Sequence, residues 1–194
     1  MTSATHRLHL QFDAKQRTQA LQYNFMLADE PIEGHPLAGK PAKTYLGEFA
    51  GCFQFEKNDS IQMGVTMTNF VKDQEQIEVH GFEIVSLDLI SLPDTTWKQN
   101  FLSPFSDEHA CLHFVEWDTA KKRTNTDHEN EIISRTCEHK DGNLKIKAKT
   151  GCWKLSGYLS VKIDATINGT RSNIPRVYSF DPEVIVGDGQ DPDG

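Results

Sequence analysis

The chain has 194 residues, with 28 acidic against 20 Lys and Arg side chains and a formal net charge of -8 when His is neutral. That balance excludes the clustered cationic surface needed for nonspecific binding to nucleic acid or anionic lipid, and no apolar run approaches the ~20 residues of a membrane helix. The N-terminus has no charged start, sustained apolar core or small-residue cleavage site, so we expect a cytoplasmic protein with neither a nucleic-acid nor a membrane partner.

Period-2 patterning begins at once. Residues 6–12 place Leu8, Leu10 and Phe12 on one face of a strand, and 21–27 form a second apolar run. Pro31, Gly34, Pro36, Gly39 and Pro41 forbid regular structure over 31–41. Strand character resumes over 45–55, where Gly47 and Gly51 suggest a bulge or a close neighbour. Asn58-Asp59-Ser60 is a turn, and Ile61, Met63, Val65 and Met67 alternate after it, which predicts a hairpin of 45–55 with 61–67. Residues 77–92 read as one strand bent at Gly81 or as two; their β-branched content favours strand over a helix at 84–92.

The stretch 93–104 is irregular, and Ser103-Pro104 or Ser106-Asp107-Glu108 is suited to start a single helical turn. Residues 110–117 predict a strand, 118–130 a polar mobile loop, 131–137 a strand, Asp141-Gly142 a turn, and 144–148 its hairpin partner. The clearest pattern comes last. Leu155, Gly157, Leu159, Val161, Ile163, Ala165 and Ile167 share one face of a long strand over 153–167. Asn168-Gly169 turns the chain, Thr170–Pro175 is expected to lengthen that loop, and 176–186 returns as a strand. The sum is an all-β fold, an antiparallel β-sandwich of roughly nine or ten strands with little helix. One domain spans 1–187, and 188–194 is expected to be a disordered acidic tail.

Candidate chemistry is sparse. His109, Cys111 and His113 alternate, so one strand face presents two imidazoles and a thiol, ligands suited to a transition metal. Glu116, His80 or His139 are the candidates for a fourth ligand. The same alternation also describes a strand whose Leu112 and Phe114 are core and whose other face is merely polar. No G-x-S-x-G, S-x-x-K, H-E-x-x-H or phosphate-cradling glycine motif is present. A nucleophilic dyad of Cys111 or Cys137 with a nearby His lacks the expected geometry.

Cys52, Cys111, Cys137 and Cys152 include no C-x-x-C pair and are expected to be reduced and mostly buried. Gly51-Cys52-Phe53 and Gly151-Cys152-Trp153 echo one another without a repeat period. Asp181, Glu183, Asp188, Asp191 and Asp193 lack the spacing of a calcium loop. Trp97, Phe101 and Phe105 lie in the irregular segment, where an exposed ring would stack on a glycan or other small ligand.

Trp153-Lys154-Leu155-Ser156-Gly157-Tyr158-Leu159-Ser160-Val161, with Arg176-Val177-Tyr178-Ser179-Phe180-Asp181-Pro182-Glu183-Val184-Ile185-Val186-Gly187, resembles the C-terminal hairpin of the AidA/PixA family of bacterial inclusion-body proteins. The resemblance is confined to the end of the chain. It implies a self-associating β-sandwich, a homo-oligomer, with no catalytic residues to carry over. The expectation is therefore a non-enzymatic binding or assembly protein without a cofactor. The alternatives are a metal-binding protein or metalloenzyme built on His109, Cys111 and His113, and a carbohydrate-binding module.

Overall fold

The computed structural model describes residues 3–27, 52–71, 77–93, 102–127, 130–140 and 144–187. Among them are twelve strands and no helix. In chain order these are β1 (Thr5–Asp13), β2 (Gln22–Leu27), β3 (Phe53–Phe55), β4 (Ser60–Val71), β5 (Ile77–Pro93) and β6 (Cys111–Phe114). They continue as β7 (Lys121–Asp127), β8 (Asn130–Glu138), β9 (Leu144–Lys145), β10 (Gly151–Ile167), β11 (Thr170–Phe180) and β12 (Glu183–Val186). Two six-stranded sheets result. The first runs β2-β1-β4-β8-β7, with β9 also on β4; the second runs β3-β12-β10-β5-β6, with β11 also on β10. The sheets are mixed rather than purely antiparallel, because β1 pairs β4 and β3 pairs β12 in parallel.

Several local expectations change. The predicted hairpin of 45–55 with 61–67 does not form: β3 and β4 lie in different sheets, and Asn58, at φ 73°, turns the corner between them. The polar segment 118–130 is not a loop, since β7 pairs β8 along its whole length. Residues 121–124 are exposed on both faces of an edge strand, so no apolar alternation marked it. No helical turn starts at Ser103 or Ser106; their hydroxyls instead accept the backbone N–H groups of Phe105, Glu108 and His109 in successive turns. The Asn168-Gly169 loop is not lengthened. Ile167 pairs Thr170 directly, and positive φ at both turn residues marks a two-residue hairpin. Pro175 sits inside β11, which tolerates it because β11 has β10 on one side only at that point.

Two strands prove to be broken lines. β8 and β9 lie end to end along the same edge of β4, where β8 covers Gly64–Val71 and β9 covers Ser60 and Ile61. β11 and β12 likewise share one edge of β10, interrupted at Asp181-Pro182, where Leu155 N–H donates to the Pro182 carbonyl at 2.9 Å. The expected hairpin of 131–137 with 144–148 thus does not form, and the Asp181-Pro182 interruption together with β7 raises the strand number above the expected one. β5 is a single strand. Its pairing with β10 slips at Val85 and at His80, next to the predicted bend at Gly81.

The inward faces share one core. Leu8, Leu10, Phe12, Met63, Val65 and Met67 from the first sheet join Leu87, Leu89, Trp153, Leu155, Leu159 and Val161 from the second. Phe12 stacks on Tyr178 at 4.7 Å and meets Phe82 edge-on at 5.5 Å, so contact runs across the two sheets. The loop 31–41, the Asp141-Gly142 turn and the tail 188–194 lie outside the described residues.

Candidate functional site

The period-2 reading of β6 holds. Leu112 and Phe114 pack against the core, and Cys111 and His113 are exposed on the outer face of the second sheet. Antiparallel register sets His113 opposite Asp88 and Cys111 opposite Ile90. His113 Nδ1 and Asp88 Oδ1 are 2.5 Å apart, and the Ser86 hydroxyl donates to Asp88 Oδ2 at 3.2 Å. The carboxylate therefore fixes the ring and leaves Nε2 directed away from it. Tyr158, opposite Asp88 on β10, completes a row Tyr158–Asp88–His113 across three strands. Sequence inspection passed over Asp88 because its partner lies 25 residues away and only pairing register brings them together.

The other proposed ligands do not converge there. His109 precedes β6, 3.9 Å from the Glu108 carboxylate and largely exposed. His80 hydrogen-bonds Thr166 at 2.7 Å, eight residues along β5 from Asp88, a span of about 25 Å at ~3.3 Å per residue. His139 packs edge-on against Phe114 and Trp117, on the core side of β6. Glu116 lies exposed beyond the end of β6. Among the described residues no three His, Cys, Asp or Glu side chains form a metal-holding group. Cys111 and His113 supply two neighbouring donors.

The Cys52 and Cys137 thiols are held in the protonated form. Burial pushes Cys137 up to about 11, with Asp118 adding to the effect. Burial, a hydrogen bond to Glu183 at 3.5 Å and the neighbouring Cys152 push Cys52 up to about 12. Cys52 and Cys152, the two echoing positions, do meet, forming a small buried cluster with Ile185. Phe105 is buried in the core at 4% exposure, so its ring is not presented to a ligand; Trp97 and Phe101 lie outside the described residues. At the acidic end, Glu183 faces Lys154 at 3.5 Å and Cys52.

Two buried histidines carry structural weight. His6 shares the apolar face of β1 and reaches Asp59 at 3.0 Å. Asp59 also accepts the backbone N–H groups of Ala4 and Glu56, at 2.8 and 2.9 Å. One buried carboxylate thus ties the start of β1 to the corner before β4. His9, on the opposite face, hydrogen-bonds Thr66 at 2.9 Å, and Thr66 meets Thr136 at 2.8 Å. Burial, with Arg7 nearby, lowers the His9 pKa to about 4, so the ring is neutral at pH 7. The site at β5 and β6 therefore stands on its geometry alone: no protein-family model, characterised protein or solved structure matches this chain.

Proposed function

We propose that this chain is a non-enzymatic binding and assembly protein: a β-sandwich that self-associates through the outer face of its second sheet. The observation that carries the reading is the apolar content of that face and its rim. Leu92 is 58% exposed, Val177 52% and Tyr158 44%, and Val115 is exposed just beyond β6. Around them the face mixes both charge signs, with Asp164–Arg171 and Lys154–Glu183 pairs. A mixed field does not repel a second copy, and burying the exposed apolar groups supplies the drive. The AidA/PixA-like closing strands form the middle and one edge of the same face, and they favour the same reading.

Sedimentation velocity over a concentration series tests it. The wild-type chain should form dimers or larger species, and Tyr158→Glu with Val177→Glu should shift it toward monomer without changing its circular dichroism. A wild-type chain that stays monomeric at its highest soluble concentration refutes the proposal.

A second reading, a transition-metal site, is favoured by the Asp88–His113 contact, because a carboxylate on one imidazole nitrogen orients the other for coordination. Cobalt(II) titration tests it. A thiolate charge-transfer band that disappears in Cys111→Ser and His113→Gln supports the site, and no band in the wild-type chain removes it.

A further inference from the structure

Cys111 and His113 present two metal-ion donors in the open. They occupy alternate positions of β6 on one face, about 7 Å apart along the strand at ~3.4 Å per residue. Cys111 is exposed, and the His113 side chain is 59% exposed. Asp88, opposite on β5, sets the imidazole. Its carboxylate only accepts, so the neutral ring holds its proton on Nδ1, 2.5 Å from Asp88 Oδ1, and keeps the Nε2 lone pair for a cation. The Ser86 hydroxyl, donating to Asp88 Oδ2, holds the carboxylate in turn.

Among the described residues β6 ends the second sheet, so the two donors stand at its rim. Exposed apolar side chains flank them. Leu92 follows Ile90, the partner of Cys111, on the outer face of β5, and Val115 follows β6. Structural zinc takes four nitrogen and sulfur ligands in a tetrahedron, and two thiolates with two neutral imidazoles leave the site uncharged. One β6 supplies one thiol and one imidazole. A two-fold axis through the ion brings the same pair from a second copy, because a symmetric dimer presents one patch twice. That contact also covers Leu92 and Val115 and excludes water from the ion. It sets a divalent cation between two chains that each carry a net charge of -8.

We propose that β6 forms a zinc site shared by two copies of this chain, with Cys111 and His113 of each as the four ligands and Asp88 of each as a positioning residue. The proposal rests on the transition-metal reading of β6 and completes its ligand set. Coordination replaces each Cys111 S–H bond with a zinc–sulfur bond and releases the proton to solvent, with no change in oxidation state.

The test uses the full chain, zinc chloride as probe, and a non-thiol reductant so that no disulfide links two copies. Sedimentation velocity and calorimetric titration are read for wild type, Cys111→Ser, His113→Gln, Asp88→Asn and His109→Ala. Zinc should bind at one ion per two chains and tighten the dimer by about tenfold or more, reversed by a chelator. Cys111→Ser and His113→Gln should lose the zinc response and keep the wild-type circular dichroism. Asp88→Asn should weaken zinc by about 10–100-fold at the same stoichiometry, and His109→Ala should match wild type. One zinc per chain on a monomer would leave a metal site within one chain and overturn the shared one. Loss of binding in His109→Ala would overturn the ligand set. A dimer indifferent to zinc and chelator would overturn the bridging role while leaving self-association intact. Unchanged affinity in Asp88→Asn would overturn the positioning role. No zinc binding by the wild type would overturn the transition-metal reading and this proposal together.

Discussion

Gly157→Ala tests whether the β10–β11 hairpin is built around one aromatic ring. Gly157 stands directly opposite Phe180, and a Cβ built on residue 157 falls within the Phe180 ring. That ring is 4% exposed and lies 5.5 Å from Tyr23, so it has little room to swing aside. On an unobstructed strand the change would stabilise by roughly 0.5–1 kcal/mol, since Gly loses more backbone freedom on folding than Ala. Forcing a methyl into packed surroundings costs about 1–3 kcal/mol. Full expulsion of the ring would approach the ~3–5 kcal/mol of a buried Phe→Ala change. The expected net effect is a destabilisation of about 1–3 kcal/mol, read from urea-unfolding midpoints at constant slope. In a Phe180→Ala background the obstruction is gone, and Gly157→Ala should be neutral or stabilising by up to about 1 kcal/mol. The two backgrounds should therefore differ by at least about 1 kcal/mol. If Gly157→Ala has the same effect in both, within about 0.5 kcal/mol, the ring-over-glycine account is wrong.

Other consequences are as direct. His9, held at about pH 4 when folded against 6.5 when free, leaves the unfolded chain binding more protons between those values. Its contribution is complete above pH 6.5 and should fall by about 3 kcal/mol as the pH drops through 4; chemical unfolding from pH 4 to 7 should show a shallower slope in His9→Gln, and parallel curves would count against it. Asp59→Ala strands three donors, those of Ala4, His6 and Glu56. It should cost about 3–5 kcal/mol by urea unfolding, with Asp59→Asn milder, and a loss below about 1 kcal/mol contradicts the tie between β1 and the β4 corner. Of the four cysteines, Cys111 is exposed and the other three are buried. A chromogenic disulfide reagent should titrate one thiol in the native chain and four after denaturation, and Cys111→Ser should abolish the native reaction. Rapid native modification of Cys52 or Cys137 would contradict their raised pKa values.

Much of the strand content was readable because burial alternation is local. Leu155 to Ala165 on β10, Leu8 to Phe12 on β1 and Ile61 to Met67 on β4 each show an apolar residue at every second position or nearly so, and each face is buried as expected. The Asn168-Gly169 turn was equally readable, since its two positive φ angles are a property of the dipeptide. β7 was not: Lys121 to Thr124 are exposed on both sides, so an edge strand with no buried face leaves no period to detect. The candidate site was half readable. The outward placement of Cys111 and His113 follows from alternation along one strand, whereas the Asp88 contact depends on pairing with β5.

By itself, then, the sequence determined an all-β chain, the buried and wet faces of its best-patterned strands, and the closing hairpin turn. Only the tertiary structure decided that β3 and β4 part into different sheets, that β1 pairs β4 in parallel and that β3 pairs β12 in parallel. It also decided that Asp88 meets His113 and that Arg135 and Asn69 share the inward face of the first sheet. The physical reason is the range of the interactions. Side-chain alternation is set by the backbone of one strand, but the choice of neighbour is a competition among many strands of similar pattern, settled by long-range register and by the shape of the shared core.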